Sequence, residues 1–391
     1  MPAKKTTTKA TAGKATTKKS ATGKVTTKKA PAKKATAKRA TTKAATKKAG
    51  GSDRKPRPRS PLTPPVGHDA AFAEVRRAIE EDRFAHAWLI TGPRGIGKAH
   101  FALHVARFLL GGEAALSDDK NSDVQLLAAR THPDFYFIDS VDRDGVRKTA
   151  ISIEKIRELN QMLRLTPARD GWRVALIDSA DMLSRNAANA LLKILEEPPR
   201  RVAFLLPCER VGGVPVTLVS RCRRLRLRPL GRDDFCDVLG SVNSDIDRGD
   251  LELLYLLSRG SPGEAEVLME LGGAKLYREL VETLLCLGEA GGPARYHRFA
   301  AELGGERNRE SWVLFPRLLE GILRRSLRAR AGGDSEPVLE EERELFAGVE
   351  TPALLEALRW VMEEMPLVER RHLGRVEASV AAFTRLAALT N

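Results

Sequence analysis

The chain has 391 residues, enough for about two to three domains, and carries 66 Lys and Arg against 51 Asp and Glu. The excess of positive charge belongs to residues 1–60, which hold 20 bases and one acid, whereas residues 61–391 hold 46 bases and 50 acids. This distribution excludes a globular domain that is basic throughout, and the lack of an 18-residue apolar run excludes a transmembrane helix.

Residues 1–60 are predicted to be a disordered basic tail and linker. Residues 1–50 consist almost entirely of Lys, Ala, Thr and Gly, and Pro is frequent after them. Such a segment buries too little apolar area to offset the entropy of ordering it. Its lysines predict sequence-independent DNA binding through the release of counterions. A purely solubilising extension is the alternative interpretation.

Apolar patterning predicts an α/β domain followed by helices. Strands alternate with helices up to about residue 230, which is typical of a parallel sheet covered on both faces. From about residue 233 the pattern is helical to the end. The predicted strands are 87–90, 135–138, 174–177, 202–206 and 225–227. A predicted helix at 72–84 precedes them, and the predicted helices between them are 99–110, 153–163 and 185–197.

The segment from Gly92 to Lys98 has the spacing of a phosphate-binding loop between a strand and a helix. Glycines Gly92, Gly95 and Gly97 let backbone N–H groups surround a phosphate, and Lys98 would reach the β- and γ-phosphates of ATP. Ala99 stands where Ser or Thr would bind Mg²⁺. The pattern therefore indicates a degenerate ATP site with weak support for Mg²⁺. A glycine-rich turn that no longer binds nucleotide is the alternative.

Asp178 follows an apolar strand, the usual position of the carboxylate on the metal side of such a site. Ser179 comes next, where a hydrolytic enzyme of the ring-forming type has Glu, so a capping acid at a strand end is the alternative. The cysteines lack the close pairs of a structural zinc site. We expect no zinc and reduced, mostly buried thiols at Cys208, Cys222, Cys236 and Cys286.

Several motifs in order resemble the bacterial clamp-loader family of AAA+ proteins, from about residue 64 to residue 230. The resemblance implies a five-stranded AAA+ domain at residues 61–230, a small helical lid at 231–285 and a helical collar at 286–391 that joins subunits in a ring. The motifs are His86-Ala87-Trp88, His132-Pro133-Asp134, the stretch 189–199 and Ser220-Arg221-Cys222.

The resemblance also implies a role for Arg221, which matches the arginine that one subunit supplies to the ATP site of its neighbour. An ordinary surface ion pair in a basic segment is the alternative. The implied partners are other clamp-loader subunits of the gamma/tau and delta types, the sliding clamp and DNA. The implied location is the cytoplasm, close to the nucleoid, with no membrane contact.

Three departures from the family pattern favour a largely non-hydrolysing stator. They are Ala99, Ser179 and Gly263, which stands where motor subunits carry an arginine after a Gly-Ser pair. An active ATPase motor of the gamma/tau type and a DNA-binding protein driven by its tail are the alternatives. Nothing in the sequence resembles a polymerase or nuclease active site, so we expect the polymerase itself to be another chain.

Overall fold

The computed structural model describes residues 64–140, 149–168, 171–243, 246–333 and 336–390. Its centre is a five-stranded parallel sheet in the order β2-β3-β4-β1-β5. The prediction of an α/β domain with a parallel sheet, followed by helices, is confirmed. The predicted basic tail lies outside the described residues. The strands are β1 (Ala87–Thr91), β2 (Phe135–Ile138), β3 (Arg173–Ile177), β4 (Val202–Cys208) and β5 (Arg223–Arg226).

Both faces of the sheet are covered by helices, as a parallel sheet requires. One buried cluster joins β-strand residues to α4, α5 and α6, and a second joins the opposite face to α1, α2 and α3. Strand β1 is an interior strand, and it pairs with β4 at Leu89↔Leu206 and with β5 at Trp88↔Arg223. These helices are α1 (Asp69–Glu80), α2 (Lys98–Ser117), α3 (Ser122–Ala128), α4 (Ile153–Met162), α5 (Arg185–Glu196) and α6 (Val216–Val219).

Some predicted boundaries are wrong, for identifiable reasons. The first helix begins at Asp69 and ends at Glu80 rather than Phe84, because Asp82 adopts a left-handed backbone with φ 52°. Strand β5 begins at Arg223, two residues before its prediction. It is an edge strand, so its outward positions are polar and hide the apolar pattern.

Helix α2 continues past the predicted end at residue 110 but bends at Gly112, where φ is 66°. Arg107, a fully buried residue of α2, fixes the chain beyond this bend. Its guanidinium donates to the carbonyl oxygens of Ala115 and Leu116 and to the carboxylate of Asp119 at 2.8 Å. The segment between the phosphate-binding loop helix and β2 is therefore held by a side chain from the domain core.

Nine helices follow the sheet within the described residues, and they share one buried apolar cluster from Leu230 to Leu386. Residues on both sides of position 285 belong to this cluster, so the division into a lid and a collar stays a prediction. The helices are α7 (Arg232–Gly240), α8 (Arg248–Ser258), α9 (Pro262–Glu270), α10 (Gly273–Leu285), α11 (Gly292–Gly304), α12 (Arg309–Trp312), α13 (Leu314–Arg330), α14 (Thr351–Arg370) and α15 (Arg375–Thr390).

A buried polar network ties these helices together at Glu342. Its carboxylate accepts hydrogen bonds from the Tyr277 hydroxyl, from Arg325 Nε at 2.9 Å and from the backbone N–H groups of Val338 and Leu339 at 3.0 Å each. Burial raises the pKa of Tyr277, so this hydroxyl stays protonated and donates a hydrogen bond to the carboxylate. Among the described helices none is long and apolar enough to span a membrane.

Candidate functional site

The phosphate-binding loop follows the carboxyl end of β1 and leads into α2. Gly95 and Gly97 adopt left-handed backbone conformations with φ 79° and 90°, which glycine reaches without steric cost. Lys98 Nζ donates to the carbonyl oxygens of Gly92 at 3.0 Å and of Pro93 at 2.7 Å. Lys98 thus lies across the loop, where its ammonium group would also contact a bound phosphate.

A cavity of about 470 Å³ opens beside this loop. This volume falls within the usual range for small-molecule sites, and Gly95, Gly97 and Lys98 would hold the phosphates of a nucleotide there. Four of the predicted site residues line the cavity: Gly95, Gly97, Lys98 and Asp178. Segments that are distant in sequence form the rest of its wall. Its walls include Pro64, Pro65, Val66, His68, Gly95, Gly97, Lys98, Ala99, Asp139, Asp178, Ser179, Glu209, Leu230, Val238, Pro262 and Gly263.

Asp178 lies at the carboxyl end of β3, where its backbone N–H donates to the Ile138 carbonyl oxygen at 2.7 Å. Ser179 is buried and left-handed, with φ 71°, so it turns the chain away from the strand. Two further carboxylates that no motif predicted, Asp139 and Glu209, also line the cavity. No group of His, Cys, Asp and Glu within the described ranges is arranged to hold a metal ion. Ala99, which also lines the cavity, offers no hydroxyl to Mg²⁺.

His68 supports the loop from the amino-terminal side, and no motif in the sequence predicts this contact. The ring is buried, and a ring nitrogen lies 2.8 Å from the carbonyl oxygen of Ile96. His104 is also buried, but it packs against Phe72 with ring centroids 4.7 Å apart. Burial, together with the charges of Arg107 and His100, lowers the pKa of His104 to about 4.

Helix α9 begins in direct contact with the phosphate-binding loop. The backbone N–H of Gly263 donates to the Gly95 carbonyl oxygen at 2.9 Å, and the Ser261 hydroxyl donates to the carbonyl oxygen of Arg94. A Cβ at Gly95 would lie 2.6 Å from the backbone nitrogen of Glu264. Gly95 is therefore required by its backbone conformation and also by the close approach of α9.

An ion triad centred on Glu264 reinforces this contact. Its carboxylate lies 3.0 Å from Nε of Arg94, on the loop, and 2.5 Å from a terminal nitrogen of Arg317, on α13. The contact with Arg94 lacks hydrogen-bond alignment, so charge attraction holds it. Glu264 is 8% exposed, which makes this carboxylate the buried member. The triad connects the loop, α9 and α13 through one side chain.

Arg221 lies away from the cavity, at the other end of the sheet. It stands two residues before β5, whose first residue pairs with Trp88, whereas the loop begins after Thr91. More than about 10 Å of strand separates the two ends. The guanidinium donates to the Thr217 carbonyl oxygen at 3.0 Å and pairs with Glu196 at 2.7 Å, and both groups are partly exposed. The structure thus separates Arg221 from the other predicted site residues.

No cysteine is among the described residues that line the cavity. All four are free thiols, but only Cys208 is buried, so the prediction of mostly buried thiols is wrong. Cys222 and Cys286 are partly exposed at the ends of their helices and strands, and Cys236 is partly exposed in the middle of α7. Burial raises the pKa of Cys208 and Cys222 to about 11, which keeps both thiols protonated.

Comparison with known proteins identifies proteins that are similar to this chain in sequence and in fold. Residues 67–231 match the model described as DNA polymerase III, delta subunit. The DNA polymerase III subunit gamma of Buchnera aphidicola from Schizaphis graminum is 32% identical over 56% of this chain and 59% of its own length. Subunit tau of Escherichia coli K12 is 32% identical over 54% of this chain and 32% of its own length.

Subunit delta' of Pseudomonas aeruginosa PAO1 is 34% identical over 51% of this chain and 60% of its own length. The chain thus spans less than two thirds of each relative, and the identities do not separate the subunit types. A crystal structure of a DNA polymerase III gamma subunit-related protein from Thermotoga maritima aligns with 81% of this chain and 99% of its own, with TM-score 0.39 and 16% identity.

The sequence match covers the sheet, the phosphate-binding loop and Arg221. Residues 67–231 therefore form a domain that is similar in sequence to the DNA polymerase III delta-subunit family.

Proposed function

We propose that this protein is a clamp-loader subunit of a bacterial DNA polymerase III, of the delta-prime type. In this role it is a largely non-hydrolysing stator that supplies Arg221 to the ATP site of a neighbouring subunit while the sliding clamp is loaded. The position of Arg221 carries the proposal. It lies at the amino end of the parallel sheet, whereas the chain's own phosphate-binding loop lies at the carboxyl end.

The contacts of Arg221 suit a residue that changes partner. Its ion pair with Glu196 is about half exposed, and exposed pairs of this kind contribute only about 0–1 kcal/mol. Exchange of the Glu196 carboxylate for a neighbour's γ-phosphate therefore costs little. A guanidinium placed there neutralises the charge that develops on the transferred phosphoryl group, an effect of about 10³–10⁵ in rate.

The chain's own cavity supports nucleotide binding more than turnover. Lys98 and Asp178 are in place, but Ala99 offers no hydroxyl and Ser179 no general base. Gly263, at the position of the arginine in motor subunits, uses its backbone N–H to hold Gly95. We infer that ATP, if bound, has a structural role in this chain. DNA, the sliding clamp and subunits of the gamma/tau and delta types are the proposed partners, in the cytoplasm near the nucleoid.

The test is ATP turnover by a reconstituted loader that contains the full-length protein. Arg221→Ala should lower turnover at the one neighbouring ATP site by about 10³–10⁵, so that total turnover falls by the share of that site while the ring still assembles. Arg232→Ala is the matched control because Arg232 is exposed and pairs with Glu252 at 2.7 Å. Normal turnover with Arg221→Ala, in an intact ring, would refute the assigned role.

A motor of the gamma/tau type is the second candidate, since most of the similar proteins carry gamma or tau names. It predicts that the protein hydrolyses ATP alone and that Lys98→Ala abolishes this activity. No turnover alone, with stimulation in the mixture that needs Arg221, supports the stator. Deletion of residues 1–60 separates the stator from a DNA-binding protein driven by its tail. The stator should still be retained by partner subunits after the deletion, and the tail-driven protein should not.

A further inference from the structure

Positive charge is concentrated at the edge strand of the sheet. Residues 221–232 contain six arginines and no acid, in a region (61–391) where acids outnumber bases 50 to 46. Three of these arginines have carboxylate partners at 2.7–2.8 Å: Arg221, Arg223 and Arg232. The other three, Arg224, Arg226 and Arg228, have no ion-pair partner among the described residues. We call these three the arginine row.

The pleat of β5 places the arginine row on one side of the strand. Leu225 and Leu227 point into the core and are 3% and 1% exposed, whereas the three arginines alternate with them and are exposed. The backbone N–H of Leu227 donates to the Thr91 carbonyl oxygen at 2.8 Å, so the extended chain continues past the end of β5. Alternate residues of a strand are about 6.6 Å apart, so the row is a straight line about 13 Å long.

Strand β5 has one neighbour within the described part of the sheet, β1, and its other side is an edge. Charged side chains on an edge strand prevent pairing with another chain, but one or two arginines would be enough for this protection. Three like charges side by side repel one another, and no carboxylate in the described part of the chain compensates them. The arrangement is therefore suited to a ligand that brings several negative charges in a line.

We propose that the arginine row binds the phosphate backbone of a nucleic acid, independently of the basic tail. Guanidinium groups bind phosphates through paired N–H donors, and a nucleic-acid strand presents phosphates at regular intervals. A protein partner would require apolar anchors at the centre of the contact, but the apolar residues of this segment, Leu225 and Leu227, are buried. The backbone contact would carry no sequence preference.

The first test is the salt dependence of duplex DNA binding by the full-length protein. The triple variant Arg224→Gln, Arg226→Gln and Arg228→Gln should reduce the slope of log K against log salt by about 2.7, at about 0.9 per lost phosphate contact. The matched control replaces Arg298, Arg307 and Arg309, three exposed arginines of the helical region, and should leave the slope unchanged. The corresponding Lys triple should keep the slope, because it keeps the charge.

The second test is independent of the tail. Phenylglyoxal modifies exposed arginines, and mass spectrometry should show that DNA protects the arginine row but not the three control arginines. An unchanged slope in the Gln triple would overturn the proposal, as would equal losses in both triples or equal protection at both sites. If the Gln triple instead forms larger assemblies and binds DNA normally, the row guards the strand edge. If it loses a partner subunit and binds DNA normally, the row is a protein contact.

Discussion

The backbone N–H of Gly263 donates to the carbonyl oxygen of Gly95 at 2.9 Å, which fixes the start of α9 on the phosphate-binding loop. In motor subunits of the family that the chain resembles, the position of Gly263 carries an arginine, as the resemblance implies. Here the same position contributes only its backbone. The start of α9 is thereby tied to the loop by a backbone hydrogen bond.

Gly95→Ala should weaken this contact. The new Cβ would carry the strain of φ 79° and would also lie 2.6 Å from the nitrogen of Glu264. We expect a loss of about 1–3 kcal/mol in the free energy of unfolding, measured by urea titration. Gly97→Ala is the control, because φ is 90° there but nothing lies within 4 Å of its Cβ. Equal losses in the two variants would contradict the close approach of α9.

Glu264→Gln should loosen α9 from the loop while keeping the shape of the side chain. The buried carboxylate has two cationic partners, and a double-mutant cycle of Glu264→Gln with Arg317→Gln should give a coupling energy of about 0.5–3 kcal/mol. The exposed pair Arg295–Glu282 should give about 0–1 kcal/mol in the same measurement. The amide of Gly263 should also exchange its hydrogen faster in Glu264→Gln, and unchanged exchange would count against the triad.

Glu342→Ala should be the most destabilising of the proposed single changes. It would leave Arg325, the Tyr277 hydroxyl and two backbone N–H groups without their acceptor. Breaking a buried pair of this kind costs about 3–5 kcal/mol, so we expect a large fall in the thermal midpoint. Glu340→Ala is the control, since its side chain is 79% exposed and pairs with Arg343 at the surface. Similar midpoints for the two variants would contradict the role of the network.

Acid should destabilise the α/β domain through His104. Its pKa falls from the ordinary 6.5 to about 4 in the folded protein, so the unfolded chain takes up a proton at a higher pH than the folded one. The free energy of unfolding carries the full contribution of neutral His104 above pH 6.5. This contribution decreases as the pH falls from 6.5 towards 4, and it no longer changes below pH 4. His104→Gln should flatten this part of the curve of stability against pH. A curve of unchanged slope would show that His104 is not responsible.

The strands and the phosphate-binding loop could be predicted because their signals are local. Ala87–Thr91 is a continuous apolar run followed by spaced glycines, and both the strand and the loop lie where predicted. The ion triad could not be predicted, because Arg94, Glu264 and Arg317 are far apart in sequence and each looks like an ordinary surface charge. The support of the loop by His68 was missed for the same reason.

The position of Arg221 shows a different limit. Its motif located the residue, but only the parallel pairing of β5 with β1 places it at the opposite end from Lys98. That placement depends on strand order, which apolar patterning does not contain. The same limit applies to the arginine row. The sequence shows six arginines, and the pleat of β5 shows which three of them share a side.

Strand order also has a consequence for biosynthesis. β1 is complete at Thr91, but its two neighbours are β4, which starts at Val202, and β5, which starts at Arg223. At about 5–20 residues per second, the ribosome needs roughly 6–22 s to reach the first of them. Throughout that interval β1, which is buried at all five positions in the folded sheet, has neither of its partners. A nascent chain interrupted before Val202 therefore exposes β1 and becomes a substrate for chaperones and proteases.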